Sequence, residues 1–394
     1  MKKDTTIVNA GRHPDRNHGF VNPSITRGST VVFESMEAFE YAVKNRYDAY
    51  IYGRFGTPTS KAFEEAMAEL EGGTDTVRSI AVSSGIGAIT AVLISHLEAG
   101  DHLLAPDNVY GPVRNLSDNL LKRFGVETSF YDPLAGPAIE EQIRENTALI
   151  YVEAPGSLTM EMPDVPAITK VARGRGIITA FDNTWATPYF FQPFEHGIDV
   201  SIQAATKYIV GHSDAMLGVI TMPLKNFEPI KTTANFLGAC PAPEDCYLGL
   251  RGLRTLGVRL RQHQKNALFV AKWLDDRPEV SRVLYPGLPG NPGHELWKRD
   301  FKGATGLLSI VLNDYPKKAV DAMIGGYTLF GLGASFGGYE SLVLPVRVDA
   351  LRTATQWKPE GPGVRFHVGL EDTEDLIADL KAGFERLEAA SSGS

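Results

Sequence analysis

The sequence predicts an α/β fold in which helices cover both faces of a mostly parallel β-sheet, followed by a smaller α+β unit. From residue 60 onward, short β-prone runs alternate regularly with helical segments, which is the pattern of consecutive βα units. From residue 254 the chain changes to a long amphipathic helix followed by separate strand-like runs. We therefore divide the chain into an N-terminal arm (1–59), an α/β domain (60–253) and a C-terminal α+β domain (254–394).

Composition excludes several functional classes. A net charge of −8 leaves no basic excess to neutralise nucleic-acid phosphates. No run approaches the roughly 18 apolar residues of a membrane span, and no apolar segment of a secretory signal follows Lys2 and Lys3. The two cysteines, Cys240 and Cys246, support neither a disulfide framework nor a zinc site. We expect a cytoplasmic protein without a metal centre.

The N-terminal arm is rich in Gly, Pro, Asn, Arg and Tyr, and shows helical periodicity only near Ser35 to Asn45. Its most distinctive piece is YGRFGTPT, which begins at Tyr52 and contains Arg54. Such crowding is typical of turn packing. An arginine beside a tyrosine also suits an anionic phosphate, because the guanidinium fork binds two phosphate oxygens.

The α/β domain begins with a helix over Lys61 to Gly73 and a strand over Ser79 to Ser84. The small residues that follow, Gly85-Ile86-Gly87-Ala88, lead into a helix whose first N–H groups lack intrahelical partners and can bind an anion. Further strands are predicted in HLLAP, VETSFYDP, ALIYVEAP and GIITAFDNT, with helices around Val113 to Phe124, Pro137 to Asn146 and Val165 to Arg175. The stretch from Met222 to Leu250 is expected to be irregular.

The C-terminal domain is expected to start with the long helix at Arg254 and to contain strands over Gly303 to Leu312 and around Thr328 and Val364. Its candidate functional residues lie in the loop ASFGGYE, which starts at Ala334, and in the strand GVRFHVGLED.

The chemistry centres on Lys207, which follows the β-prone run from Ile198 to Ile202. A lone lysine in such a place is usually a solvated surface group. Asp182, however, ends another predicted strand, and consecutive βα units bring both loop ends to one sheet edge. An amine there can hold an aldehyde cofactor while a carboxylate keeps a pyridinium nitrogen protonated, as in pyridoxal-phosphate sites.

Several segments together resemble the Cys/Met-metabolism family of pyridoxal-phosphate enzymes. These segments are DNTWATP, SIQAATKYIVGHSDAMLG and RGLRTLGVRLRQH, and the resemblance extends from YGRFGTPT to RFHVGLED, nearly the whole chain. It implies the fold type I, aminotransferase-like architecture and the cofactor pyridoxal 5′-phosphate. It also implies a homo-oligomer, expected to be a tetramer built from two dimers, each with active sites shared between its subunits.

The resemblance implies a role for each cofactor-binding residue. Lys207 would bind the cofactor and act as the base, Asp182 would pair with the ring nitrogen, and Tyr110 would stack on the ring and assist proton transfer. The residues expected at the cofactor phosphate are Gly85, Ile86, Thr206 and, from a neighbouring subunit, Tyr52 and Arg54.

The substrate is expected to be a small amino acid. By the same resemblance, Arg365 would bind its α-carboxylate, with Ser335 and Tyr52 also contacting it. Many family members carry a serine at the position of Ala204 and an asparagine at that of Ser157; we interpret these departures as traits of the bacterial β-lyase branch.

The implied activity is α,β-elimination from cystathionine, giving homocysteine, pyruvate and ammonia, with cystine or other S-substituted cysteines as secondary substrates. Phe336 is one place where the preference for the thiol could be set. A γ-lyase or γ-synthase of the same family is the alternative. Two positions favour β-chemistry: Ala334 stands where the γ-enzymes commonly have Glu, and Pro112 stands where methionine γ-lyases have Cys. A non-catalytic regulator with this fold is a third reading, although it has no chemical need for the full residue set.

Overall fold

A computed structural model describes residues 1–348 and 351–392. It contains a seven-stranded sheet and, later in the chain, a five-stranded sheet. The strands of the first sheet are β1 (Val77–Val82), β2 (His102–Pro106), β3 (Glu127–Tyr131), β4 (Thr147–Glu153), β5 (Ile178–Asp182), β6 (Val200–Gln203) and β7 (Gly218–Pro223). The strands of the second are β8 (Val280–Leu284), β9 (Leu307–Leu312), β10 (Gly331–Leu332), β11 (Leu342–Val346) and β12 (Gly363–His367).

The α-helices of the described residues account for much of the remaining chain. They are α1 (Lys3–Asn9), α2 (Met36–Lys44), α3 (Pro58–Glu71), α4 (Gly85–His96), α5 (Gly111–Asn115), α6 (Val165–Gly174), α7 (Thr187–Phe190), α8 (Leu224–Phe236), α9 (Pro243–Arg254), α10 (Leu256–Asp275), α11 (His294–Asp300), α12 (Lys317–Gly325) and α13 (Thr373–Ser392). A π-helical stretch, Leu116–Leu121, directly continues α5.

The seven-stranded sheet has the order β1-β7-β6-β5-β4-β2-β3, and its pairings are parallel except those of β7, which runs antiparallel to both neighbours. The predicted mostly parallel sheet is therefore confirmed. Because β5 and β6 are parallel neighbours, Asp182 and the chain leaving Gln203 emerge at the same edge. This juxtaposition creates the site described below.

Both faces of this sheet are buried. Side chains alternate across a strand, so Val152 and Phe181 belong to one apolar cluster while their chain neighbours Tyr151 and Ala180 belong to the other. The sheet is thus packed between two apolar layers, one on each face, and this packing fixes the positions of its strand ends.

The five-stranded sheet has the order β10-β11-β12-β9-β8. Its central strand β12 pairs antiparallel with β11 and β9, and it carries Arg365 and His367. Backbone pairing on both sides makes β12 a firm base for these side chains.

Several expectations about secondary structure were wrong. The stretch expected to be irregular forms β7, α8 and α9, because Phe227, Ile230 and Leu250 bury apolar faces against the rest of the molecule. Thr328 lies in a turn outside the strands, and its backbone N–H donates to both carboxylate oxygens of Asp379 at 3.0 Å. Only a 3₁₀-helix, Gly136–Gln142, occupies the place of the helix predicted from Pro137.

The arm is more ordered locally than its composition suggests. The helix expected near Ser35 is confirmed as α2, capped by the Ser35 hydroxyl, while α1 was not anticipated. Lys3 Nζ anchors α1 by donating to the carbonyls of Pro188 and Tyr189 at 2.9 and 2.8 Å. Among the described residues, no helix combines the length and apolar character needed to span a membrane.

Candidate active site

A cavity of about 360 Å³ opens at the edge where β4, β5 and β6 end. Its other wall comes from the loop before β11 and from β12. Eight of the ten predicted site residues line it: Gly85, Ile86, Tyr110, Asp182, Thr206, Lys207, Ser335 and Arg365.

Lys207 lies four residues after the end of β6 and reaches across the cavity to the opposite wall. Its Nζ donates to Ser335 Oγ at 2.5 Å and lies 5.2 Å from the centre of the Phe336 ring. Burial, with the nearby positive charge of Arg365, lowers the pKa of the Lys207 amine to about 8. A substantial fraction of this amine is therefore neutral near physiological pH and able to accept a proton.

Asp182 ends β5 and faces the cavity from its floor. Its carboxylate accepts hydrogen bonds from Tyr151 OH at 3.2 Å and from Thr184 N–H at 2.9 Å. It forms no ion pair with any residue of 1–348 or 351–392. Burial raises the pKa of Asp182, so the site holds an acidic group that a cationic ligand would stabilise in its charged form.

Glu153, on the neighbouring strand β4, is in register with Asp182. Desolvation and the adjacent Asp182 carboxylate raise the pKa of Glu153 well above its usual range. Its Oε2 accepts the backbone N–H of Tyr110 at 2.8 Å, which ties the Tyr110 loop to the strand end. The Tyr110 side chain remains 44% exposed and available to stack on a planar ligand.

The start of α4 forms another part of the wall. Ser84 caps this helix by accepting the Gly87 N–H at 3.1 Å, and the residues between them, Gly85 and Ile86, lie in its first turn. A Cβ atom on Gly85 would come within 2.5 Å of the Ala204 side chain, so the backbone approaches β6 too closely for any other residue. The free N–H groups of such a helix start favour an anion.

Thr206 also lines the cavity, but its hydroxyl is engaged with the backbone of Leu217. It accepts the Leu217 N–H at 2.8 Å and donates to the Leu217 carbonyl at 3.1 Å. A bond from this hydroxyl to a ligand would require the donated hydrogen to turn away from Leu217.

The opposite wall is cationic. Arg365 is half-buried on β12, and its Nη2 donates to the Ser335 carbonyl at 3.2 Å. It has no carboxylate partner in the parts of the chain that are described. A guanidinium held in this way, beside the Lys207 amine, is suited to bind the carboxylate of an incoming molecule.

Comparison with known proteins decides the family. The model of the family described as Cys/Met metabolism PLP-dependent enzyme matches residues 4–385. The chain belongs to this family. Cystathionine β-lyase MetC of Escherichia coli (strain K12) is 44% identical over 98% of this chain and 99% of that protein. Cystathionine β-lyase of Salmonella typhimurium is 42% identical over 98% of each chain.

Solved structures of the Cys/Met-metabolism family share the fold. The crystal structure of cystathionine γ-synthase from Xanthomonas oryzae pv. oryzae in complex with cystathionine has a TM-score of 0.89, at 32% identity, and the match covers 99% of each chain. The predicted fold class is thus confirmed, and pyridoxal 5′-phosphate is the cofactor of the family to which the chain belongs.

The cavity fits this cofactor. Asp182 is a buried carboxylate without a cationic partner among the described residues, and a protonated pyridine nitrogen would supply the missing charge. The tight approach of Gly85 to Ala204 leaves the start of α4 open to a phosphate. Lys207 provides an amine of lowered pKa in the same cavity.

Two predicted site residues, Tyr52 and Arg54, do not line this cavity. Tyr52 and Arg54 line a separate pocket of about 420 Å³, and Arg54 Nη1 donates to the Asn235 carbonyl at 2.8 Å. Their expected role was in the site of a neighbouring subunit, and that role stays a prediction.

The sequence reasoning missed several residues at the cavity. Glu153 is the last residue of β4, as Asp182 is of β5, and Thr184 lies two residues after β5, so their positions carried a readable signal. The apolar lining carried none, because Met160, Trp185 and Met216 reach the cavity only through the path of the folded chain.

Proposed function

We propose that this chain is a carbon–sulfur β-lyase that converts L-cystathionine and water to L-homocysteine, pyruvate and ammonia. The observation that carries the proposal is the contact of Lys207 Nζ with Ser335 Oγ, with Arg365 behind Ser335 and Asp182 on the facing wall of one cavity. The relatives named cystathionine β-lyase, at 44% and 42% identity, support the choice of substrate.

The cofactor would be held by Lys207, by Asp182 at the ring nitrogen, by Tyr110 at the ring face, and by Gly85, Ile86 and Thr206 at the phosphate. Bound pyridoxal 5′-phosphate supplies an electrophilic aldehyde and an electron-withdrawing ring. The buried carboxyl group of Asp182, beside Glu153, suits the ring nitrogen, and the backbone at α4 suits the phosphate.

The residues of the opposite wall act on the substrate. Arg365 binds its α-carboxylate and fixes the orientation of Cα. The neutral Lys207 amine then takes the Cα proton, and Ser335 Oγ keeps that amine in place. Tyr110 donates or accepts a proton at the far side of the cavity. The electrons of the Cα–H bond form a Cα=Cβ double bond, and the sulfur leaves with both electrons of the Cβ–S bond and takes a proton to become homocysteine. Water then hydrolyses the remaining three-carbon enamine to pyruvate and ammonia.

The preference for β-elimination is proposed from the lining of the cavity. Ala334 contributes a methyl group where a glutamate would add a carboxylate beside Ser335. Pro112 lies in the first turn of α5, after Tyr110, and brings no thiol. Both positions thus lack the side chain that γ-acting members of the family carry there, which favours β-elimination.

We also propose that the working form is a homo-oligomer in the cytoplasm, with Tyr52 and Arg54 completing the site of a neighbouring subunit. Tyr52 is 46% exposed and Arg54 does not reach the cavity of its own chain. The cysteines are free in this structure, Cys240 exposed and Cys246 buried, which suits a reducing compartment.

The test is a product analysis on purified protein loaded with cofactor. L-Cystathionine should give pyruvate and homocysteine in equal amounts. Formation of 2-oxobutyrate and cysteine instead would replace the β-lyase proposal with the γ-lyase, and a protein that binds the cofactor but turns over neither cystathionine nor cystine would favour the regulator.

A further inference from the structure

The loop from Ala334 to Glu340 carries Ser335 and Phe336 to the cavity, yet it belongs to no helix or strand. It lies between β10 and β11, and its contact with Lys207 is short, 2.5 Å from Ser335 Oγ to Lys207 Nζ. Something outside the loop must therefore fix it, because a free loop would not hold one hydroxyl at this distance.

The side chain of His367 contacts the backbone of this loop. Its Nε2 lies 3.0 Å from the Gly337 backbone nitrogen and 3.2 Å from the Gly338 carbonyl oxygen. In one tautomer Nε2 accepts the Gly337 N–H, and in the other it donates to the Gly338 carbonyl. The same ring nitrogen holds the loop in either neutral form.

His367 is itself immobilised. It is the last residue of β12, pairs with Leu342 and Leu307 on the two flanking strands, and is 1% exposed. Its ring packs against the Tyr208 ring at 5.9 Å and the His263 ring at 5.2 Å. Burial, together with the nearby His263, Arg365 and Lys207, holds the pKa of His367 well below its usual range, so the ring stays neutral.

The same loop also packs against the backbone of Lys207 and Tyr208. Gly337 has φ of +84°, and a Cβ there would lie 2.7 Å from the Tyr208 nitrogen and 2.8 Å from the Lys207 carbonyl carbon. Since no space separates this glycine from the Lys207 backbone, a displacement of the loop changes the position of Ser335 relative to Lys207.

We propose that His367 is a positioning residue for the proposed elimination, which holds the loop so that Ser335 Oγ stays at Lys207 Nζ. It acts through the loop and does not line the cavity. The inference rests on the proposed function for its kinetic consequence, while the hydrogen bond to the loop can be measured independently.

The test compares three variants of the cofactor-loaded enzyme. His367→Leu fills the space but removes the ring nitrogens, and His367→Gln restores a side-chain group that can donate and accept. The matched control is His102→Leu, a buried histidine of β2 whose Nδ1 contacts Thr147 Oγ1 at 2.8 Å and which does not touch the loop.

The first readout is amide hydrogen exchange in the peptide over residues 334–340. Loss of one hydrogen bond should speed exchange about 10-fold in His367→Leu, and exchange should be unchanged in His102→Leu. The second is steady-state kinetics, where kcat should fall about 3- to 10-fold in His367→Leu with little change in KM and recover in part in His367→Gln.

Loop exchange that is unchanged in folded His367→Leu would overturn the proposal, as would an equal loss of kcat in His102→Leu. If His367→Leu does not fold, His367→Gln decides: wild-type exchange and kcat there support the role of the ring nitrogen, and fast loop exchange despite the amide overturns it. Faster loop exchange in a protein whose wild type forms no pyruvate would refute the proposed function and leave the contact between His367 and the loop established.

Discussion

The two walls of the cavity are held by different means. On the side of the seven-stranded sheet, Glu153 and Asp182 are the last residues of paired parallel strands with buried faces on both sides. On the side of the five-stranded sheet, Arg365 is on a strand, but Ser335 is on a loop whose place depends on a few hydrogen bonds. The first wall is acidic and the second is cationic.

This difference separates two tasks. Strand ends clamped in a sheet are suited to a ligand that stays, because their geometry does not change between turnovers. A loop supported by a neighbouring strand is suited to a ligand that enters and leaves in each turnover, such as the substrate. Substitutions on the acidic wall should therefore change the chemistry and cofactor binding, and substitution of Arg365 on the cationic wall should change substrate capture.

The largest effect is expected from Lys207→Ala. Lys207 follows β6 of the seven-stranded sheet, and its amine contacts Ser335 on the opposite wall. Removal of the base should lower kcat by at least about 10⁴-fold while the fold is kept. Pyruvate formation, with circular dichroism as the fold check, measures this, and exposed Lys265→Ala serves as the control. Normal turnover in the Lys207 variant would refute the assignment of the base.

Asp182→Asn should give the next largest effect, about 10²- to 10³-fold in kcat, because an amide cannot hold the positive charge of a ring nitrogen. Glu153→Gln replaces a carboxyl group of strongly raised pKa at the neighbouring strand end and should lower kcat less than about 10-fold. Both kcat and cofactor affinity are to be measured. Equal losses in the two variants would contradict the distinction between Asp182 and its neighbour.

Arg365→Ala should lower kcat/KM about 10²-fold, mainly through KM, because the substrate carboxylate loses its charged partner. Cofactor affinity should change little. Arg365→Lys keeps the charge without the planar fork and should recover part of the loss. A variant in which kcat alone falls would place Arg365 on the chemical step and blur the difference between the walls.

The smallest effect concerns pH. In cofactor-free protein, the reactivity of Lys207 toward an acylating reagent should rise with pH and level off above about 8, because its lowered pKa leaves it charged below that pH and neutral above it. Peptide mass spectrometry can follow modification at this site. Since Arg365 contributes to the shift, Arg365→Ala should move the midpoint to higher pH. A midpoint near the ordinary lysine pKa in the unsubstituted protein would show that the amine is not buried as described.

Sequence reasoning found the parts of the site that depend on local order. Asp182 and Lys207 each follow a recognisable strand, and parallel βα units bring successive strand ends to one edge. Glu153 followed an equally clear strand, but its pairing with Asp182 depends on the strand order, in which β4 and β5 are neighbours. A single glutamate at a strand end gave no reason to look for that partner.

Helices in the stretch after Met222 were missed for a related reason. Gly and Pro residues weaken the local pattern there, and Pro229 even lies inside α8. Packing against the sheet overrides this weak propensity, since helices in proteins are stabilised mostly by the burial of one face. Such burial depends on residues far away in the chain.

The α/β class, the strands that precede Lys207 and end at Asp182, and the strand with Arg365 could be predicted from local patterns, because each depends on the order of residues within one segment. The contacts of Ser335 with Lys207, of Glu153 with Asp182 and of His367 with the loop became visible only in the folded chain. These contacts join residues 29 to 128 positions apart. They depend on strand order and close packing, which no local pattern of side chains encodes.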